Sequence, residues 1–164
     1  NRTRVDLIVL HSAEAPEKPG TARAVARWFA LETTKASAHY SVDAEETIQC
    51  VPEGSIAWAA PGAHANGLQI EMAGYAGQTV SQWADQYSCA TITRVVDLCV
   101  ELCRRWSIPA ALIGPSALLE RGRGVTTHAF VSRAFRKSSH TDPGAYFPLE
   151  HLINRVAAKL KAAA

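Results

Sequence analysis

The run Val5-Asp-Leu-Ile-Val-Leu10 is apolar apart from Asp6. A strand that reads this way is covered on both faces, because an exposed face would alternate polar with apolar residues. The chain must therefore supply layers for two sides of a sheet. The spacing predicts a helix over Ala22 to Thr33, capped by Thr21. In it Val25, Trp28, Phe29 and Glu32 recur at helical spacing. A second helix is predicted over Ser81 to Trp106. Its apolar stripe is Ile92, Val95, Val96, Cys99, Leu102, Cys103 and Trp106, with Leu98 at the margin. A last helix starts at Pro148, suited to the first helical position, and runs to about Leu160. Between them, His39 to Asp43 and Thr47 to Val51 read as paired strands. Leu68-Gln-Ile-Glu-Met72 alternates as a half-buried strand does. Leu112–Ile113 is a short strand, followed by a helical piece to Glu120. No repeat or linker divides the chain. The expected fold is α/β, a single domain over residues 1–164 with a central mixed β-sheet flanked by helices.

The length of 164 residues suits one domain with its own core. A net charge of +2 gives no basis for a nucleic-acid or membrane-surface partner. No apolar run is long enough to cross a membrane, and no signal peptide is visible. The chain begins at Asn1 and ends in an Ala-Lys tail, so it is expected to be a monomeric piece of a longer, multidomain protein. The 4 cysteines, Cys50, Cys89, Cys99 and Cys103, match no zinc-ribbon spacing. Cys99 and Cys103 share a helix face and read as small apolar residues. A bridge involving Cys50 stays open, and with it the redox compartment.

Three residues carry zinc-type chemistry. His11 follows the first strand, His128 ends Val125-Thr-Thr, and Asp142 precedes Pro143-Gly144. Imidazole nitrogen and carboxylate oxygen are standard zinc donors, and three protein ligands with one open position is the catalytic arrangement. Taken singly, each has a plainer reading. A strand-end histidine is more often a hydrogen-bonded core residue, and Asp-Pro-Gly is turn chemistry. Glu71 either points to solvent or faces the interior, where an unpaired charge would be costly. Facing inward, it could take a proton from an attacking water. His140, two positions before Asp142, could stabilise an oxyanion. Trp58 is either a core anchor or the wall of a groove. His64 and His151 carry no signal. Arg121-Gly-Arg-Gly124 lacks the Gly-Lys-Ser/Thr of a phosphate loop.

Four blocks, in order, make the chain resemble the type-2 family of zinc-dependent N-acetylmuramoyl-L-alanine amidases, which includes the peptidoglycan recognition proteins and phage lysozyme-type amidases. They are Ile8-Val-Leu-His11-Ser-Ala; Ser37-Ala-His-Tyr-Ser-Val42; Ala57-Trp-Ala through Asn66-Gly-Leu-Gln-Ile-Glu71; and His128 through His140-Thr-Asp-Pro-Gly-Ala-Tyr-Phe147. The resemblance implies His11, His128 and Asp142 as zinc ligands and Glu71 as the catalytic glutamate. His140 stands where the aspartate branch often has lysine. Other members place a tyrosine where this chain has Ala38, so the weight falls on Glu71. Ala129 to Ser139 replaces a shorter linker and reads as helical. Trp58, His39 and Asn66 are the candidate substrate contacts. The implied activity is cleavage of the amide between N-acetylmuramic acid and L-alanine in bacterial peptidoglycan. The setting is the cell wall, as in a phage endolysin, with loops near Pro16, Trp58 and Arg121 lining the groove. The competing expectations are a peptidoglycan-binding module without catalysis and a zinc amidohydrolase acting on a small acylated substrate.

Overall fold

The computed structural model describes residues 4–162. Asn1 to Thr3, Ala163 and Ala164, part of the expected domain, lie outside the described residues. Five strands form one mixed sheet: β1 (Leu7–Ser12), β2 (Tyr40–Val42), β3 (Thr47–Gln49), β4 (Gly67–Met72) and β5 (Gly124–Thr127), in the order β3-β2-β4-β1-β5. β1, the apolar run, is an interior strand, beside the middle strand β4. It pairs in parallel with β4 and with β5, β2 runs parallel to β4, and β3 closes the edge antiparallel to β2.

Period-two alternation sorts β1 onto two cores. Ile8 and Leu10 face a large cluster with Val95, Val96, Cys99, Leu102, Leu152 and Val156. Those residues come from α3 (Gln86–Trp106) and α6 (Leu149–Ala162). Leu7 and Val9 face a smaller cluster with Ala60, Ala63, Ile113, Leu118 and Val131. Leu118 and Val131 come from α4 (Pro115–Leu119) and α5 (His128–Phe135). The sheet is therefore covered on both faces, as the apolar run demands.

Several boundaries differ from expectation for identifiable reasons. The long helix over Ser81 to Trp106 is two: α2 (Val80–Trp83) and α3. Asp85 leaves helical geometry and its carboxylate accepts from Ser88 N, so it caps a new helix and does not continue the old one. The first helix, α1 (Thr21–Phe29), stops short of Thr33. Thr34 Oγ1 donates to the carbonyl of Trp28, taking up one of the groups a helix end leaves open. Thr21 does not cap it. Its hydroxyl donates to the Pro16 carbonyl, and Asp43, from the β2–β3 turn, accepts from Ala22 N instead. Leu98 is buried in the core, not marginal. Leu112 forms an isolated bridge to Val125 and no strand of its own. Pro148 sits just ahead of α6, where its carbonyl accepts from Leu152 N. All four cysteines are free, with Cys99 and Cys103 buried.

The expected half-buried strand at Leu68–Met72 is also corrected. β4 lies inside the sheet, and Gln69 is fully buried. Its alternation separates the large core from the site described next, since Leu68 and Ile70 join the core while Gln69 and Glu71 share the face of Val9 and His11. No helix among the described residues is long and apolar enough to cross a membrane.

Candidate active site

The site forms at the carboxyl ends of the parallel strands, the usual place for a ligand in an open α/β sheet. His11 lies near the end of β1, in register with Glu71 on β4. Thr127 ends β5 and caps α5 by accepting from Phe130 N, which makes His128 the first helical residue. The loop before α6 delivers Asp142, whose carbonyl accepts from Ala129 N at 3.0 Å. Gly144 turns that loop at φ +100, with its backbone so close to the Ala76 carbonyl that a Cβ would lie 2.0 Å from the oxygen.

His11, His128 and Asp142 are all buried and converge. Asp142 Oδ2 is 3.0 Å from His11 Nδ1, and Oδ1 is 3.2 Å from His128 Nδ1. One donor atom from each residue falls within 4.8 Å of the others. Tetrahedral donors about 2.1 Å from a zinc ion stand roughly 3.4 Å apart, so this chain's donors suit that ion. Each Nε2 is held from behind: His11 by Gln69 Oε1 at 2.9 Å, His128 by the Ser138 hydroxyl at 3.3 Å. Ser138 is itself 2.6 Å from Ser132 Oγ.

The charges are mutually adjusted. Burial disfavours charge on His11, but Glu71 and Asp142 outweigh it and raise its pKa to about 9. Burial also works against ionised Asp142, yet the bonds to His11 and His128 hold it below the usual carboxylate range. His128 is lowered by burial and by the neighbouring histidines. Glu71 is pushed up to about 7, chiefly by burial, with Asp142 and Glu14 adding and His11 opposing. Glu71 faces inward, its Oε1 3.8 Å from His11 Nδ1. His140 is 63% exposed, stacks on His128 with centroids 4.3 Å apart, and places Nδ1 3.4 Å from Asp142 Oδ1.

A cavity of about 490 Å³ holds this group, lined by His11, Glu71, His128, His140 and Asp142. Its far wall is α1: Ala24, Val25, Trp28 and Phe29. Of the two wall aromatics, Trp28 is left 52% exposed. A second hollow of about 650 Å³ adjoins it across His140 and runs past Phe130 and Phe147.

The expected substrate contacts fare differently. His39 is fully buried; its Nδ1 accepts from Gln69 N and its Nε2 bonds the Ser55 carbonyl, so it turns no face to the cavity. Asn66 lies at the opposite end of the sheet, its carbonyl accepting from Asp6 N and Leu7 N at the start of β1. Arg121 lines a hollow at that same end, away from the site. Trp58 is 63% exposed and packs on His64; it is neither core anchor nor cavity wall, though its neighbour Ala59 lines the cavity. Gln69 is absent from the expected set. Alternation alone turns it to solvent, and the available signal is its shared parity with Glu71.

Comparison with known proteins follows the same direction. The family model for N-acetylmuramoyl-L-alanine amidase matches residues 1–145. No curated protein sequence gives a significant match. Among solved structures, the Staphylococcus aureus hydrolase AmiA in complex with its ligand superposes with a TM-score of 0.70 at 17% identity, over 97% of this chain and 76% of that one. A mutant endolysin from Bacillus subtilis gives 0.64 at 17% identity, over 95% and 90%. The E. coli N-acetylmuramyl-L-alanine amidase AmiD, in complex with the substrate anhydro-N-acetylmuramic acid-L-Ala-D-gamma-Glu-L-Lys, gives 0.66 at 19% identity, over 94% and 58%.

Proposed function

The chain belongs to the N-acetylmuramoyl-L-alanine amidase family, and we propose that it is a zinc enzyme cleaving the bond between N-acetylmuramic acid and the L-alanine of the peptidoglycan stem. The observation that carries the reading is the convergence of His11, His128 and Asp142 with Glu71 on the floor of one cavity. Zinc held by the triad supplies Lewis-acid polarisation of the scissile carbonyl and makes a water molecule more acidic.

The protein's own groups do the rest. Glu71, with a pKa raised to about 7, accepts the proton of the attacking water and returns one to the leaving amine nitrogen. His140, at the cavity mouth, donates an N–H to the carbonyl oxygen as negative charge develops there. Asp142, its two oxygens beside His11 Nδ1 and His128 Nδ1, draws the three donors together before metal enters. The two hollows share His140, so polymer on either side of the cut bond would have one hollow each. We assign the whole span, residues 1–164, to one catalytic domain of a phage-type endolysin, acting as a monomer at the bacterial cell wall.

The test is Glu71→Ala. The variant should keep stoichiometric zinc and lose turnover on purified peptidoglycan. Turnover close to wild type would overturn the general-base role. A metal-free protein that still bound peptidoglycan without cutting it would instead mark a recognition module.

A further inference from the structure

Gln69 is fully buried, an uncommon place for an amide side chain. Its two ends meet different partners. Nε2 donates to the carbonyls of Ala63 at 3.2 Å and Gly67 at 3.4 Å. Oε1 stands 2.9 Å from His11 Nε2. The amide cannot be turned over, because Oε1 would then face two carbonyl oxygens, three acceptors with no proton among them. The acceptor end therefore faces His11, and an acceptor there requires the proton on His11 Nε2. That leaves Nδ1 facing the triad's centre: it donates a proton to Asp142 Oδ2 at 3.0 Å until a metal displaces that proton and takes the lone pair.

We infer that Gln69 is a positioning residue: it fixes His11 in the Nε2–H form, so that Nδ1 is presented to the metal. The side chain is well placed for this because its backbone is clamped. Gln69 N donates to His39 Nδ1 and its carbonyl accepts from His39 N, each at 2.9 Å. His39 Nε2 in turn meets the Ser55 carbonyl at 3.1 Å. His39 thus belongs to the support of the site and not to its surface. An imidazole ligand whose other N–H is held is oriented and more basic. Loss of such a partner typically weakens metal binding 10- to 100-fold.

The inference rests on His11 being a zinc ligand, and the experiment separates the two. Zinc affinity is measured by chelator competition for wild type, Gln69→Leu and Gln69→Glu. Long-range proton–nitrogen spectra of zinc- and cadmium-loaded wild type locate the metal and the proton on His11. The expected wild-type spectrum has metal on Nδ1 and a slowly exchanging proton on Nε2. Gln69→Leu should bind zinc about 10- to 100-fold more weakly. Gln69→Glu keeps the acceptor and should regain most of that affinity. Both variants lose the donors to Ala63 and Gly67, so both should melt below wild type. Metal on Nε2 in wild type, or zinc affinity unchanged in Gln69→Leu, overturns the inference. Unchanged affinity with lower melting is what a purely structural role would give. Should neither variant fold, the wild-type spectrum decides alone. Wild type that binds no zinc through His11 would overturn the metal reading itself.

Discussion

Gln69 and Glu71 leave β4 on the same side, and their surroundings set them different tasks. Gln69 is sealed in and hydrogen-bonded at both ends. Glu71 keeps one side toward the cavity, its charge opposed by burial and supported by His11. Glu71→Ala should lower turnover by roughly 10²- to 10⁴-fold, the usual worth of a positioned proton acceptor, with zinc content unchanged. Zinc analysis and release of soluble wall fragments, run side by side, check both halves. The convergence of His11, His128 and Asp142 was legible because strand ends and a Pro-Gly turn are visible in sequence. Gln69 was not, since alternation gives the parity of a residue but not what lies on that side of the sheet. His39 and Asn66 misled for a related reason: neighbouring in sequence to β2 and β4, they fall behind the site and at the sheet's far end.

At the scale of elements, α1 is the exception. Its apolar stripe, which ordinarily seeks a core, lines the catalytic cavity, and Trp28 remains half exposed. Trp28→Ala should therefore weaken capture of peptidoglycan, raising KM about 5- to 30-fold for a loss of about 1–2 kcal/mol. Its kcat and melting temperature should stay near wild type; a collapse of stability would show that the side chain is core after all. The helix pattern in sequence marked α1 but could not say which side of it stays open. Capping chemistry set the real boundaries, through Asp43 and Asp85. Elsewhere, Glu53 ties β2 to the end of α3, accepting from Tyr40 Oη, Arg105 and Trp106 Nε1. Burial opposes its charge, but those donors win and hold its pKa below the ordinary 4.5. The sign follows: the folded state prefers ionised Glu53, so its stabilisation is full above about 4.5 and is lost as pH falls through the lower folded value. Glu53→Gln should cost about 1–3 kcal/mol at neutral pH and flatten that acid decline, as denaturant titrations across pH would read.

For the molecule as a whole, the His11–His128–Asp142 cluster sits at one end of a sheet whose two cores are built without it. The His11–Asp142–His128 contacts also satisfy one another. Chelation should accordingly abolish activity while leaving the far-ultraviolet circular dichroism of a folded protein. Zinc restored to a hundred times its Kd should add about 2.7 kcal/mol of stability, seen as a rise in Tm. The layered fold was readable because one apolar run forces cover on both faces. The groove was not, since it depends on which helix face is left unpartnered. The most direct test of the central claim is mass spectrometry of purified peptidoglycan incubated with the protein, beside a chelator-treated sample. A zinc amidase should give stem peptides beginning with L-alanine and peptide-free glycan in the first, and neither in the second. Intact wall material in both, or fragments cut at any other bond, would contradict it.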